Sequence, residues 1–299
     1  SAYRSINATD WAAGAAKVAS GDLDRPGVLA AALAARAFRG EVILFTFDVC
    51  AVSDALNTIL LLRHAGFEHF IALTDGEATC TQLERAAARV TARAPCFWSS
   101  WSSRMPGWAQ WGSGAGCVSA LVPQRSCVLE QLYAMRYHVA GAILARGANV
   151  LFTDLDAVLL QDPYAQLKVA PLSGYNFIFT PDIGAMPANG GLWYAQATTA
   201  GAGAQWVVAE VARRTEAIVA VPIRRRSTPP MDQVLLGDVL ATATIAAGEG
   251  RYGLMCRHPT LRELPMCTNL SSRALRPIHR LRLPDLSPPM RSPYADAAA

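Results

Sequence analysis

The sequence predicts an α/β fold with a mostly parallel sheet and helices on both of its faces. Two short apolar runs rich in β-forming residues, EVILFTF and HFIALT, are each followed by a longer segment whose apolar residues have helical spacing. Strands that alternate with helices in this way form parallel sheets buried on both faces. The composition agrees, because 52% of the 299 residues are hydrophobic and 17% are charged, which excludes a disordered chain.

The first half of the chain shows the clearest alternation. Ser53 is placed as the N-cap of the first helix, and Gly66 suits its C-terminal end. The second strand runs into Asp75 and Gly76, where it stops. The predicted elements are, in order, a strand at 41–47, a helix at 53–66, a strand at 69–74, a helix at 79–93 and a short strand at 96–98.

Residues 99–125 interrupt this alternation with a long loop rich in Gly, Ser and Pro. A loop of this length inside a compact domain is usually functional or mobile. Its tryptophans either hold the loop against the core or offer flat faces to sugar rings or bases, and both interpretations stay open. They are Trp101, Trp108 and Trp111.

The second half begins with a strong helix from Ser126, with Arg136 beside its apolar face and Gly147 at its end. We expect one domain at 1–282, followed by a Pro-rich tail at 283–299 that is extended or disordered. No apolar run is long enough to span a membrane. The remaining predicted elements are strands at 148–153, 176–180 and 190–196, a helix at 204–215 and a short helix at 231–240.

Charge and cysteine content exclude some classes of protein. The net charge of +4 is carried mainly by arginines, which form either a solvated surface or a patch that faces phosphates or an acidic partner. Basic and aromatic residues do not interleave as in nucleic-acid modules, so no nucleic-acid partner is expected. The seven cysteines lack the spacing of a zinc site. Asn7 and Asn269 lie in N-x-S/T sites, which slightly favours a secretory compartment.

The stretch VLFTDLDAVLLQDP, residues 150–163, places two carboxylates one residue apart in an apolar run. In an extended strand, Asp154 and Asp156 would point to the same side, with Leu155 turned towards the core. Two carboxylates presented together need a cation or a partner. Mg²⁺ and Mn²⁺ prefer oxygen ligands, and the ligand crevice of open α/β sheets lies at the carboxyl ends of strands. The pair therefore predicts a divalent-metal site.

The D-x-D stretch and five further segments together resemble nucleotide-sugar glycosyltransferases with the GT-A (Rossmann-like) fold. The D-x-D stretch is similar to their metal-binding strand, and more narrowly to that of glycosyltransferase family 77, which includes plant arabinosyltransferases. The other segments occur in the same order between about Glu41 and Cys267: the opening strand, helix and strand at 41–75, the helix at 129–150, NGGLWYAQAT at 189–198, PPMDQVLLGDVL at 229–240, and RYGLMC followed by PMCT.

The resemblance implies a retaining, metal-dependent transfer of a sugar from a UDP-sugar to a hydroxyl. The sugar would be arabinose, galactose or xylose, and the acceptor a glycoprotein or cell-wall glycan. Mn²⁺, or Mg²⁺, would be bound by Asp156 and by Asp154, with the ribose as an alternative partner of Asp154, and Thr46 and Asp75 would help to bind the donor nucleotide. The family also implies the Golgi lumen, with any membrane anchor outside this chain.

The remaining site residues follow from the same resemblance. Arg136 would add positive charge near the diphosphate. Asn189 and Gly190 would let the donor sugar approach the backbone. Asp232 and Gln233 correspond to the polar groups at the reacting sugar, so they are the predicted catalytic residues.

The chain departs from the family pattern at two places. It reads C-T-N-L where the family reads C-T-M-H, so the expected histidine ligand is absent, and His258 or His279 would have to replace it. It also reads N-G-G where the family reads N-S-G, which removes a hydroxyl. By resemblance, Cys256 and Cys267 would form a disulfide.

Two alternative functions are compatible with the sequence. The D-x-D stretch is also similar to the phosphatase motif of haloacid dehalogenase-like enzymes, but these use a lysine well downstream, whereas Lys168 is close and is the last lysine of the chain. The other alternative is a non-catalytic relative that binds a sugar or a protein after loss of the third metal ligand.

Overall fold

The computed structural model describes residues 20–90, 92–104, 126–180, 188–198, 203–219, 232–233, 235–237 and 239–240. These residues form one seven-stranded sheet. Its strands are β1 Ser20–Asp22, β2 Glu41–Phe47, β3 Phe70–Thr74, β4 Cys96–Trp98, β5 Asn149–Thr153, β6 Phe177–Phe179 and β7 Leu192–Ala195.

Six α-helices accompany the sheet in the described part of the chain. They are α1 Val28–Arg36, α2 Val52–His64, α3 Glu77–Arg89, α4 Ser126–Leu144, α5 Tyr164–Leu167 and α6 Gly203–Val219. Residues 232–233, 235–237 and 239–240 are also helical, as predicted for 231–240. Short 3₁₀ turns occur at Val49–Ala51, Ser102–Arg104 and Leu172–Gly174.

The strand order is β1-β4-β3-β2-β5-β7-β6. The first five strands in this order pair in parallel, whereas β7 runs antiparallel to both β5 and β6. The predicted α/β class with a mostly parallel sheet is therefore confirmed. The carboxyl ends of β2, β3 and β5 meet at one edge of the sheet, and the reversed β7 brings its beginning to that same edge.

Alternate residues of the strands enter two separate hydrophobic cores, one on each face of the sheet. On β2, Val42 and Leu44 belong to the core with α1, α4 and α6, whereas Ile43, Phe45 and Phe47 pack with α2, α3 and α5. Every residue of β2 is buried. This arrangement explains why five of the seven residues are apolar, because neither face of the strand meets water. The two exceptions, Glu41 and Thr46, are buried as well.

Several predicted boundaries need correction. Ser53 is exposed and is not the cap of α2; the turn before the helix is instead capped by Asp48, whose Oδ1 accepts hydrogen bonds from the N–H groups of Cys50 and Ala51. The helix predicted at 79–93 ends at Arg89. The strand predicted at 190–196 begins at Leu192, so the two glycines precede it. The predictions did not include β1, α1 or α5.

A disulfide joins Cys80 of α3 to Cys96 of β4, and Cys50 is a free, exposed thiol. The predicted pair Cys256 and Cys267 lies outside the described residues, as do the C-terminal tail and the late arginine cluster. Within the described residues, no helix combines the length and apolar character needed to cross a bilayer.

Candidate functional site

The acidic pair lies just beyond the carboxyl end of β5. The strand stops at Thr153, and Leu155 and Asp156 occupy a turn in which Ala157 N–H donates to the carbonyl oxygen of Asp154 at 3.2 Å. The alternation of side chains along an extended strand therefore does not determine the directions of Asp154 and Asp156. The prediction that the two residues continue the extended strand is wrong. Asp154 is partly buried, whereas Asp156 is exposed at the sheet edge.

Arg136 from α4 reaches the same edge and joins two carboxylates. Its Nη1 donates to Asp154 Oδ1 at 3.0 Å, and its Nη2 donates to Asp232 Oδ2. Arg136 is 2% exposed and Asp232 is 5% exposed, so both groups of this ion pair are out of water. The guanidinium also lies over the ring of Phe152, 4.5 Å from its centroid. Such a position is stable for arginine because its planar head stacks on aromatic rings while it bonds carboxylates.

The segment before β7 completes the site through its backbone. Asp154 N–H donates to the carbonyl oxygen of Gly191 at 2.7 Å, which extends the β5–β7 pairing to the acidic turn. Gly190 N–H donates to Gln233 Oε1 at 3.1 Å, and Gly191 N–H donates to Asn189 Oδ1 at 2.6 Å. Three regions distant in sequence are thus held together at the sheet edge.

The two glycines are required for space. A Cβ on Gly190 would lie 2.7 Å from Arg136 Nη2 and 3.4 Å from Asp232 Oδ2. A Cβ on Gly191 would collide with the Asp154 carboxylate and lie 3.0 Å from Asn189 Oδ1. No side chain fits at either position unless the charged groups move. Gly191 was not among the predicted site residues, although its place in a Gly-Gly pair before a strand is a signal of close backbone approach.

The charges at this edge are unbalanced. Burial raises the pKa of Asp154; Arg136 opposes this, and the carboxylates of Asp232 and Asp156 raise it further. For Arg136, burial alone would lower the pKa, but the charges of Asp232 and Asp154 raise it above its ordinary value. Arg136 thus pairs with two carboxylates, the nearby Asp156 adds a third negative charge, and negative charge remains in excess. A cationic ligand would relieve it.

This excess and the chemistry of the donors fit a hard divalent cation. Asp154 and Asp156 offer carboxylate oxygens, the ligands that Mg²⁺ and Mn²⁺ prefer. Among the described residues, no group of three His, Cys, Asp or Glu side chains could hold a metal ion. The protein therefore supplies two candidate ligands in its described part. The suggested replacements, His258 and His279, lie outside that part.

The structure brings together six of the predicted site residues: Arg136, Asp154, Asn189, Gly190, Asp232 and Gln233. Asp156 borders this group. The other two predicted residues follow from neighbouring strands at the same edge: Thr46 is buried in β2, and Asp75 is exposed after β3, where its Oδ1 accepts a hydrogen bond from Thr74 Oγ1.

Trp101 holds the start of the long loop against the core. It is 4% exposed, and its ring stacks on His138 with 4.9 Å between centroids. Its Nε1 donates to Glu216 Oε1, and its backbone N–H donates to Asp24 Oδ2, each at 2.9 Å. The anchoring interpretation is therefore correct for Trp101. Trp108 and Trp111 lie outside the described residues.

Lys168 argues against the phosphatase alternative. Its Nζ forms an ion pair of 2.5 Å with Oε1 of Glu41, the first residue of β2, and Glu41 is 1% exposed. This contact lies at the amino edge of the sheet, opposite to Asp154 and Asp156. The lysine is therefore engaged in a buried structural ion pair, away from the carboxylates that such chemistry would require.

Comparison with known proteins yields one family match. Residues 122–260 match the family model described as nucleotide-diphospho-sugar transferase, a segment that contains the six residues brought together. No curated protein matches the chain significantly.

The titles of the solved structures with some similarity name sugar transferases. The bifunctional glycosyltransferase WbbM is 15% identical with a TM-score of 0.37; the match covers 60% of this chain and 35% of that one. The galactosyltransferase LgtC in complex with donor and acceptor sugar analogues is 14% identical with a TM-score of 0.38, and the match covers 75% of this chain and 82% of LgtC. An active-site mutant of LgtC is 12% identical with a TM-score of 0.39 over the same shares.

Proposed function

We propose that the chain, a glycosyltransferase by its match to the nucleotide-diphospho-sugar transferase family, carries out a retaining, metal-dependent transfer from a UDP-sugar. The donor sugar is arabinose, galactose or xylose, and the acceptor is a hydroxyl of a glycoprotein or cell-wall glycan. The observation that carries the proposal is the joining of Asp154 and Asp232 by Arg136 beside Gly190. The earlier resemblance to GT-A enzymes of family 77 supports the same assignment.

In this proposal, the side chains around the glycines bind and orient the donor sugar. Asp232 and Asp154 accept hydrogen bonds from sugar hydroxyls, and Arg136, which pairs with both carboxylates, donates to the diphosphate. Gln233 Oε1 accepts a hydrogen bond from Gly190 N–H, which holds this side chain beside the glycine pair. The absence of side chains at Gly190 and Gly191 lets the sugar ring approach the backbone.

Asp154 and Asp156 are the residues that would hold the divalent cation, Mn²⁺ or Mg²⁺. When bound, such a cation supplies positive charge that stabilises the departing nucleotide diphosphate. The exposed position of Asp156 at the sheet edge would leave a cation held there accessible to a phosphate that arrives from solvent.

A thermal-shift screen of UDP-sugars with and without Mn²⁺ tests the proposal. One donor should stabilise the protein only when Mn²⁺ is present, by about 2.7 kcal/mol at a hundredfold excess over its Kd. Asp156→Asn should abolish this stabilisation, whereas Asp54→Asn, which changes an exposed acid of α2, should preserve it. Equal stabilisation with and without Mn²⁺ would refute metal dependence. Release of UDP from a labelled donor then establishes turnover.

A non-catalytic sugar-binding protein is the second candidate. Two observations favour it. Asp154 is already paired with Arg136, and the described residues supply two candidate metal ligands but no group of three. The same assay separates the two functions, because a binding protein would be stabilised by a sugar donor but would release no UDP during prolonged incubation.

We also propose that the protein functions in the secretory pathway, in the Golgi lumen. The disulfide between Cys80 and Cys96 supports this location, because such bonds persist in oxidising compartments and are rare in the cytosol. Immunofluorescence of the protein in its native cells, with a Golgi marker, tests the location.

A further inference from the structure

We infer that Arg136 is an internal counter-cation that competes with the divalent metal for Asp154, so that the metal gains this carboxylate only as the guanidinium gives way. The inference rests on the metal use in the proposed function. It assigns to Arg136 and Gly190 control over metal affinity, in addition to any contact with the donor.

The contacts of Asp154 show the competition directly. Its Oδ1 receives Arg136 Nη1 at 3.0 Å, and its Oδ2 lies against Gly191, where an added Cβ would collide with it. One oxygen therefore bonds a cation, and the other is confined by the backbone. The carboxylate is still 37% exposed, so an ion can reach it. A metal bound by Asp154 and Asp156 together would interact with the Asp154 carboxylate, which now pairs with Arg136.

Arg136 is held in place by a second anchor. Its Nη2 is ion-paired with Asp232, and its guanidinium carbon lies over two rings, 4.5 Å from the centroid of Phe152 and 4.9 Å from that of Tyr133. The planar group therefore moves as one unit, and any shift at Nη2 is transmitted to Nη1. Displacement by a metal requires that all these contacts loosen together, which lowers the affinity for the metal.

Gly190 makes this clamp possible. A Cβ at this position would lie 2.7 Å from Arg136 Nη2 and 3.3 Å from Gln233 Cβ. The arginine occupies the space that a side chain would fill. A residue larger than glycine would push the guanidinium from Asp232 and, through its rigid plane, from Asp154. Gly190 is thus a positioning residue that acts through Arg136.

The test measures Mn²⁺ binding alone, without donor, by the loss of the free Mn²⁺ signal in electron paramagnetic resonance. Arg136→Gln should bind Mn²⁺ about tenfold more tightly than the wild type, because a competing cation is removed. Gly190→Ala should tighten binding about threefold. Arg63→Gln is the matched control, since it breaks an arginine–carboxylate pair of 2.7 Å with Glu68 on the other face of the sheet and should leave the affinity unchanged. Asp156→Asn should weaken binding in each background.

Unchanged or weaker Mn²⁺ affinity in both variants, or no binding in any protein, would overturn the inference. If Arg136→Gln does not fold, Gly190→Ala decides alone, because it retains the arginine. A wild type that turns over a donor while all variants bind Mn²⁺ equally keeps the proposed function and refutes the competition. If the variants bind Mn²⁺ more tightly but the wild type turns over no donor, the competition is supported and the proposed function is refuted.

Discussion

At the scale of single residues, the candidate site depends on two glycines, Gly190 and Gly191. Arg136 is buried and Asp154 is partly buried, and each lies within a few ångströms of a glycine backbone. Burial of a charge is costly unless it is paired, and the pairs form here only because Gly190 and Gly191 leave room. The polar chemistry of the site is thus inseparable from the small residues beside it.

Gly191→Ala should disable the site and leave the rest of the fold intact. The added methyl would displace the Asp154 carboxylate and press on Asn189 Oδ1, so donor turnover should fall at least tenfold, with destabilisation of about 1–3 kcal/mol from overpacking. Steady-state kinetics and urea unfolding measure the two effects. Gly174→Ala is the control, because a Cβ there meets nothing within 4 Å. Unchanged turnover in Gly191→Ala would show that this close approach is not needed.

At the scale of elements, the disulfide fixes α3 to the strand that follows it. Cys80 and Cys96 are 16 residues apart, and both are buried, at 2% and 0% exposure. The bond closes the connection between α3 and β4. It therefore limits the freedom of the unfolded chain on the face that also contains α2.

Removal of this bond should lower the free energy of unfolding by about 3 kcal/mol, the value expected for a loop of this length. The double variant Cys80→Ala/Cys96→Ala, compared with the wild type in urea, measures the loss. Dithiothreitol should destabilise the wild type and leave the double variant unaffected. Cys50→Ala changes the free, exposed thiol and should be neutral. If the reductant has no effect on the wild type, the bond does not stabilise the fold.

The elements also show which parts of the structure local sequence can predict. Strand β2 was predicted at its observed bounds because a mostly apolar run rich in β-forming residues lies between Gly40 and Asp48. Strand β1 was not predicted, because its three residues, SGD, are small or polar and form a strand only by pairing with β4. The cap of α2 was misplaced because the helix is preceded by a 3₁₀ turn that Asp48 begins.

The candidate site was predicted as a set of residues but not as a set of contacts. The site residues were predicted from the D-x-D stretch and five further segments that occur in the same order as in the family. The ion pair of Arg136 with Asp232 spans 96 residues of sequence, and no spacing rule predicts it. The turn at Asp154 depends on its backbone bond to Gly191, a contact made by the reversal of β7. Tertiary packing decides both features.

At the scale of the whole molecule, the two edges of the sheet have different roles. The carboxyl edge collects the candidate site, whereas the amino edge contains a buried polar cluster. There, His69 is 0% exposed, and its Nε2 lies 3.1 Å from the hydroxyl of Tyr164. Burial, together with the positive charge of Arg36, lowers the pKa of His69 to about 4. The neutral imidazole is therefore part of the native packing.

Stability should consequently depend on pH through His69. Below about pH 6.5 the unfolded chain binds a proton at this histidine, and the folded chain does so only near pH 4. Its contribution is fully present above pH 6.5 and is lost as the pH falls to about 4, by a total on the order of 3 kcal/mol. Urea unfolding from pH 7.5 to 4.5 measures the slope. His69→Gln should flatten it, while the exposed His64→Gln should not. The same slope in both variants would exclude His69 as its origin.

The backbone bond between Asp154 and Gly191 makes the acidic turn and the glycine pair the last rung of one ladder. Neither can fray without the other. Partial separation of β5 from β7 would therefore disrupt the candidate site in a single event, so the integrity of the site depends on the pairing of the strands rather than on the mobility of any one loop.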